Sequence, residues 1–426
     1  MKRRNFFKVV GAGSAIAMLP KLSYGATANV VVVGGGLAGA AVAKYLRTWR
    51  GSDNVTVTLV TPASSYVTCL QSNLVVTGAL PVSTITRNYD TLHSRYGVTI
   101  QPGSATSIDP INRRVRVGGS DIFYDYLVLA PGVKYIPYAG DPNATLSFWK
   151  GEDASTLKTQ IDNLHAGDTF VIYIPSGTIK GAQAPYGRAC AVADRRPDCT
   201  VKVLDGHGSL PPLFVDPFAS FNNIVYTPNV TLNSVNLVAK TLATNIGLIS
   251  YNAANVIPVQ SANLDFASAL LAGGPFAPVN AQTFESTVLG YDRVYIIGDA
   301  QGTTLPKSGH IAADQAKNCA SAITRRIAGL QPETSLALSA VQFNAIRSTS
   351  AHKAVFSHSG FQWDGTAHPP PAPANNRWVA SGAFLAANST ADSDAGVSAS
   401  GVITASSENY KQGLTWVATL LDDCFK

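Results

Sequence analysis

The chain has 426 residues, 46% hydrophobic and 14% charged, which predicts a folded protein of two or three domains and excludes a disordered one. The formal net charge is +6, but Lys2, Arg3, Arg4, Lys8 and Lys21 all precede Ala26 with no acid among them. Without those five the balance is close to neutral, and a nucleic-acid binder loses its main support.

The first residues read M-K-R-R-N-F-F-K, then V-V-G-A-G-S-A-I-A-M-L-P, then K-L-S-Y-G-A. Paired arginines, an apolar run and small residues at Gly25 and Ala26 predict a twin-arginine export signal over residues 1–25. The run is too short for a membrane anchor, which needs about 20 residues. The expectation is therefore a periplasmic protein, exported folded around a cofactor, in a compartment that permits disulfides. The cysteines are Cys69, Cys190, Cys199, Cys319 and Cys424. None stands in a C-x-x-C-H haem motif or at zinc-site spacing, so neither a haem on this chain nor a metal is expected.

Asn29 to Val33 is an apolar run leading into G-G-G-L-A-G, then the helix-like A-A-V-A-K-Y-L-R-T-W, then a second strand from Val55 to Val60. This is the strand, turn, helix, strand order of a dinucleotide site. Gly34 permits the turn, Gly36 lets backbone approach a pyrophosphate, and Gly39 lets the helix pack on the strand. Free N–H groups at the helix start would meet the phosphates. At the end of the second strand, where an acid would bind the adenosine ribose, stands Thr61; its hydroxyl, backbone or Ser64 are the alternatives.

Farther on, Y-D-Y-L-V-L-A-P-G (Tyr124 to Gly132) reads as a buried strand ending in a bend, and V-Y-I-I-G-D-A (Val294 to Ala300) as another ending in Gly-Asp-Ala. With the glycine loop present, Asp299 is assigned to FAD rather than to a helix cap. Strands T-F-V-I-Y-I-P and T-V-K-V-L-D suggest a second Rossmann-like unit, but no G-x-G-x-x-G follows Ile174, so nicotinamide binding is not expected. The histidines His310, His352, His358 and His368 lack ligand spacing.

These pieces, with Y-V-T-C-L-Q-S-N, A-P-Y-G-R-A, T-F-E-S, P-K-S-G and a terminal helix carrying Trp416, resemble the flavoprotein subunit of flavocytochrome c sulfide dehydrogenase. That family is related to the sulfide:quinone oxidoreductases. The resemblance runs over essentially the whole chain. It implies an α/β fold with two Rossmann-like dinucleotide-binding domains, glutathione-reductase-like, and a C-terminal α+β interface domain. The implied boundaries are 26–141 with 255–330 for the FAD domain, 142–254 for the second domain and 331–426 for the interface domain. FAD would be bound by Gly34, Gly36, Gly39, Thr61, Asn73 and Ala105, and by Pro131, Gly132, Asp299 and Ala300. Lys307, Ser308 and Gly309 would approach the flavin, and Cys69 would hold it covalently as a thioether. Haem would sit only on a partner, a c-type cytochrome subunit, while another periplasmic protein is a further candidate.

The resemblance also implies a redox disulfide beside the flavin, one cysteine shortly before A-P-Y-G-R-A and one on a later helix. Here those positions fall on Gly181 and Val341, and a glutamate of the family falls on Gly187. Sulfide exchange needs a thiolate attacking sulfur, so ordinary sulfide dehydrogenase activity is expected to be lost. Cys190 and Cys199 read better as a local structural disulfide, leaving Cys319 and Cys424 for a second bridge, although three pairings exist. Lys307 and Trp416 are candidates beside the flavin; for Lys180 two readings stand, a lining residue of the vacated pocket and, favoured, a solvated loop lysine. Two functions follow: an FAD-dependent oxidoreductase passing electrons from a small donor, or a flavinylated scaffold that docks a cytochrome.

Overall fold

A computed structural model describes residues 27–50, 55–333, 336–349, 351–363, 378–383 and 405–426. The expected export signal, His368 and the P-P-P-A-P run lie outside them.

Two parallel sheets organise the chain. In the first, Ala28–Val33 is flanked by Val55–Thr61 and Tyr126–Leu129, with Thr99–Pro102 and Val294–Ile296 at the edges. Val30, Val31 and Val32 are fully buried, because helices or loops cover both faces of such a sheet and its strands read as unbroken apolar runs. In the second sheet Thr169–Ile174 lies between Thr200–Asp205 and Ala253–Val256, with Ile224–Thr227 outermost. Ala253–Val256 crosses the 254/255 junction expected from the sequence. An antiparallel pair, Val133–Ile136 with Val259–Ala262, carries the chain between the two units.

The C-terminal part adds antiparallel strands Ala337–Arg347, Lys353–Trp363 and Trp378–Ala383 and a helix, Ser407–Phe425. Ser406 caps that helix by accepting from the Asn409 N–H at 3.0 Å. The region belongs to both cores. Leu338, Ala340, Leu421 and Phe425 join the core of the first unit, whereas Ile346 and Val355 join that of the second. It therefore clasps the two Rossmann-like units over the space between them. Among the described residues no helix is long and apolar enough to cross a membrane, and no group of three or more His, Cys, Asp or Glu could hold a metal.

The structure corrects the disulfide expectation: all five cysteines are free. Cys190 sits inside the helix Ala184–Arg195 with no exposure. Cys199 lies beyond that helix and directs its thiol to the His165 carbonyl at 3.2 Å. Burial pushes the Cys319 and Cys424 thiols up, which holds them as inert apolar groups.

Candidate flavin site

The glycine loop is built as its spacing predicts. Gly34 has φ +108°, and a Cβ there would lie 2.2 Å from the Ala130 carbonyl oxygen. A Cβ on Gly39 would lie 1.8 Å from the Gly34 oxygen, so helix Leu37–Arg50 can rest on its strand only through glycine. Where an acid was missing, Thr61 is buried and its hydroxyl turns to the Ala63 carbonyl at 3.3 Å. Tyr89, which the sequence reading did not single out, donates to the Gly35 oxygen at 2.9 Å.

A single cavity brings together most of the expected site. Cys69, Asn73, Gly132, Asp299, Lys307 and Ser308 line it, as do Gly309 and Trp416. Gly36 and Pro131 lie in loops and Ala300 ends a short 3-10 turn, Gly298–Ala300; none of the three is among the lining residues. Ala105 opens the strand Ala105–Asp109 and stands apart from the cavity. The N-terminus of helix Gly309–Ile327 faces the cavity through Ser308 and Gly309, the Ser308 hydroxyl accepting from the Ile311 N–H at 3.4 Å. Gly309 is required there, because a Cβ would come within 2.8 Å of Leu37 and 3.0 Å of Leu70.

Gly181 and Val341, the two positions that carry sulfur in the family resembled, line this same cavity. Val341 lies in the strand Ala337–Arg347 rather than on a helix, its N–H donating to His310 Nδ1 at 3.3 Å. Among the described residues Cys69 is the cavity's one sulfur. Gly187 is closed off differently: a Cβ there would meet the Asn344 Cβ at 3.0 Å, so the space a glutamate would need is taken by Asn344.

Charge in the cavity departs from the sequence reading. Lys180 is not a solvated loop lysine; it lines the cavity half-buried. Its carbonyl accepts from Trp149 Nε1 at 3.0 Å and its N–H donates to Gln260 at 2.9 Å, which fixes the loop inward. Arg188, also missed, is buried and lines the cavity. Lys307 is 7% exposed, with Nζ donating to the Gln301 carbonyl at 2.9 Å and lying 3.8 Å from the Phe276 ring centroid. Burial lowers its pKa to about 8, against the opposing pull of Asp299. The signal that could have found Lys180 is weak: a lysine between strand Thr169–Ile174 and helix Ala184–Arg195 occupies the carboxyl edge of a parallel sheet, where ligands gather.

The second sheet repeats the dinucleotide topology without the chemistry. Asp205 ends its second strand, the place for a ribose-binding acid, but its carboxylate has no exposure. It accepts from Tyr186 OH at 2.7 Å, Tyr226 OH at 2.9 Å and the His207 backbone N–H at 2.9 Å, and pairs with His207 Nδ1 at 2.8 Å.

One glycine cradle, one cavity between two Rossmann-like units and a helix N-terminus aimed into it define an FAD-dependent oxidoreductase of the two-dinucleotide-domain class. The family described as pyridine nucleotide-disulphide oxidoreductase matches residues 28–168. Over 49 residues, 12% of this chain, it is 53% identical to the "Sulfide dehydrogenase [flavocytochrome c] flavoprotein chain" of Chlorobaculum thiosulfatiphilum, covering 98% of that sequence. The chain belongs to this flavocytochrome c sulfide dehydrogenase flavoprotein family. Its fold matches the sulfide:quinone oxidoreductase of Aquifex aeolicus with a TM-score of 0.71 at 17% identity, covering 94% of this chain and 92% of that one. Putidaredoxin reductase, in its covalent complex with putidaredoxin, matches with a TM-score of 0.61 at 18% identity over 81% and 84%.

Proposed function

We propose that this chain is a periplasmic FAD-dependent oxidoreductase, exported through a twin-arginine signal, that passes electrons from a small donor to a c-type cytochrome partner carrying the haem. The flavin is held covalently through Cys69, and ordinary sulfide dehydrogenase chemistry is lost. The observation that carries this reading is the single sulfur of the cavity. Cys69 supplies one thiol for a thioether, while Gly181 and Val341 leave no pair to form a redox disulfide.

Bound FAD would supply two-electron uptake and one-electron release. Its pyrophosphate would lie at the loop of Gly34, Gly36 and Gly39: backbone contacts require glycine at Gly34 and Gly39, and Gly36 leaves its backbone open to the phosphates. Ser308 and Gly309 bring a helix N-terminus, and Lys307 an ammonium, to the cavity; both favour negative charge there. The terminal helix excludes water through Gly413, Leu414 and Trp416.

The test has two arms. Acid precipitation of the protein should leave yellow flavin on the pellet; flavin that washes free defeats the thioether. Rapid mixing with sulfide should give neither fast bleaching nor a long-wavelength charge-transfer band, and the appearance of both would reinstate sulfide oxidation. A chain that binds cytochrome yet is reduced by no donor would instead be the flavinylated scaffold.

A further inference from the structure

Arg188 is 2% exposed, and every group it bonds is neutral. Nε donates to Asn73 Oδ1 at 2.8 Å, and Nη1 to the Phe148 carbonyl at 2.7 Å and Asn255 Oδ1 at 2.6 Å. The guanidinium also stacks on Trp149, 4.5 Å from its ring centroid. Among the described residues Nη2 has no hydrogen-bond partner, and Arg188 lines the cavity. A buried cation without a counter-charge is costly, and its persistence points to an anion supplied from outside the chain. Arg188 is not alone. Lys180 and Lys307 line the same cavity, and Asp299 is the one carboxylate among its lining residues. Among the described residues Lys180 has no carboxylate within ion-pair distance, and its ammonium lies 6.0 Å from the centroid of the Tyr135 ring.

With Lys307 and Asp299 facing the flavin and the flavin's own diphosphate met at the glycine loop, Arg188 and Lys180 are left with two positive charges, the complement of a dianion. The space for a small guest lies beside Gly181, where an added Cβ would meet only the Ala184 Cβ, at 3.7 Å. Val341 and Phe343 add apolar wall. A guanidinium fork presents paired donors that suit the oxygens of an oxyanion, and an ammonium adds a point charge. With no disulfide to capture a donor covalently, a donor here must be held by charge.

We propose that Arg188 and Lys180 form a binding site for a small dinegative sulfur oxyanion beside Gly181, in the cavity that takes the flavin. The inference rests on the reading that this cavity is the flavin site and receives a small donor.

The experiment is calorimetric titration of the full flavin-loaded chain with thiosulfate and with sulfate, the flavin band being followed in parallel. Both ions should bind and perturb the band. Arg188→Gln should weaken binding by roughly 30-fold, as expected when one member of a buried charge pair is removed. Because Arg188 also joins buried groups, Lys180→Gln serves as the second variant; it should keep the fold and weaken binding by roughly fivefold. Absence of heat and spectral change at millimolar thiosulfate and sulfate overturns the proposal. So does acetate binding as tightly as sulfate, or binding unchanged in Lys180→Gln. Acid precipitation of the same sample reports the flavin independently. Anion binding to protein that has lost its flavin on the pellet would sink the covalent reading and leave the oxyanion site standing.

Discussion

Lys307 shows how one side chain can set both a potential and a pH dependence. Its ammonium is buried, and its pKa is lowered to about 8 from 10.5. The folded protein thus disfavours the charged form, a cost fully present below pH 8 and relieved as pH rises toward 10.5. Beside a reduced, anionic flavin the same charge is favourable. Lys307→Met should lower the two-electron potential by about 30 mV or more, equivalent to about 1.4 kcal/mol. In spectroelectrochemical titration the natural chain should show an additional fall in potential above pH 8, and the variant should lack it. An unchanged potential would place the ammonium away from the ring.

The two glycines that replace family residues differ as sharply. Gly181 has room but sits at φ +64°, so Gly181→Cys should fold at a cost of about 1 kcal/mol. Gly187→Glu should cost about 3 kcal/mol or more, since it drives a buried carboxylate into Asn344. Urea denaturation of the two variants compares them directly. That difference was not readable in the sequence, where both positions looked like simple losses. The close approach at Gly187 comes from a strand more than 150 residues away, Ala337–Arg347. Lys180 and Arg188 were obscured for the same reason: chain position names a loop and a helix, but long-range packing decides which way they face.

At the scale of elements, the first strand, turn and helix were readable because local chemistry dictates them. An apolar run, a glycine triplet and a second apolar run have few other solutions. The consequence is severe sensitivity at Gly39. Gly39→Ala would put a methyl where the Gly34 oxygen lies 1.8 Å away, so helix and strand must separate. The variant should lose flavin and refold poorly, seen as a colourless protein or as inclusion bodies; a yellow, normally stable Gly39→Ala would contradict this packing. The cysteines were misread because spacing carries no information on direction. Cys190 and Cys199 are nine positions apart, yet one is sealed inside a helix and the other turns to a carbonyl.

For the whole molecule, the terminal helix that lines the cavity through Gly413, Leu414 and Trp416 is tied to the first unit by a polar join. Asp423 concentrates that join. It accepts from Tyr45 OH at 2.6 Å and pairs with Lys317 at 3.0 Å, while Lys44 donates to its carbonyl at 2.8 Å. Burial raises the Asp423 pKa, but Tyr45 and Lys317 outweigh it and hold the carboxyl below its ordinary 3.8. Its contribution is therefore present above that pH and lost as pH falls through the depressed value. Asp423→Ala should lower Tm at pH 7 by roughly 2–4 °C and increase quenching of flavin fluorescence by iodide, with the Tm difference shrinking in acid. Equal quenching in both proteins would mean that the helix does not guard the ring.

The knot of hydroxyls and imidazole around Asp205 has a consequence for where reducing power can come from. A carboxylate already satisfied by Tyr186, Tyr226 and His207 offers no grip to a diphosphopyridine sugar. This protein should ignore NADH and NADPH even in excess. Half of its architecture is that of a coenzyme reader, yet the current it carries should come from outside the pyridine-nucleotide economy.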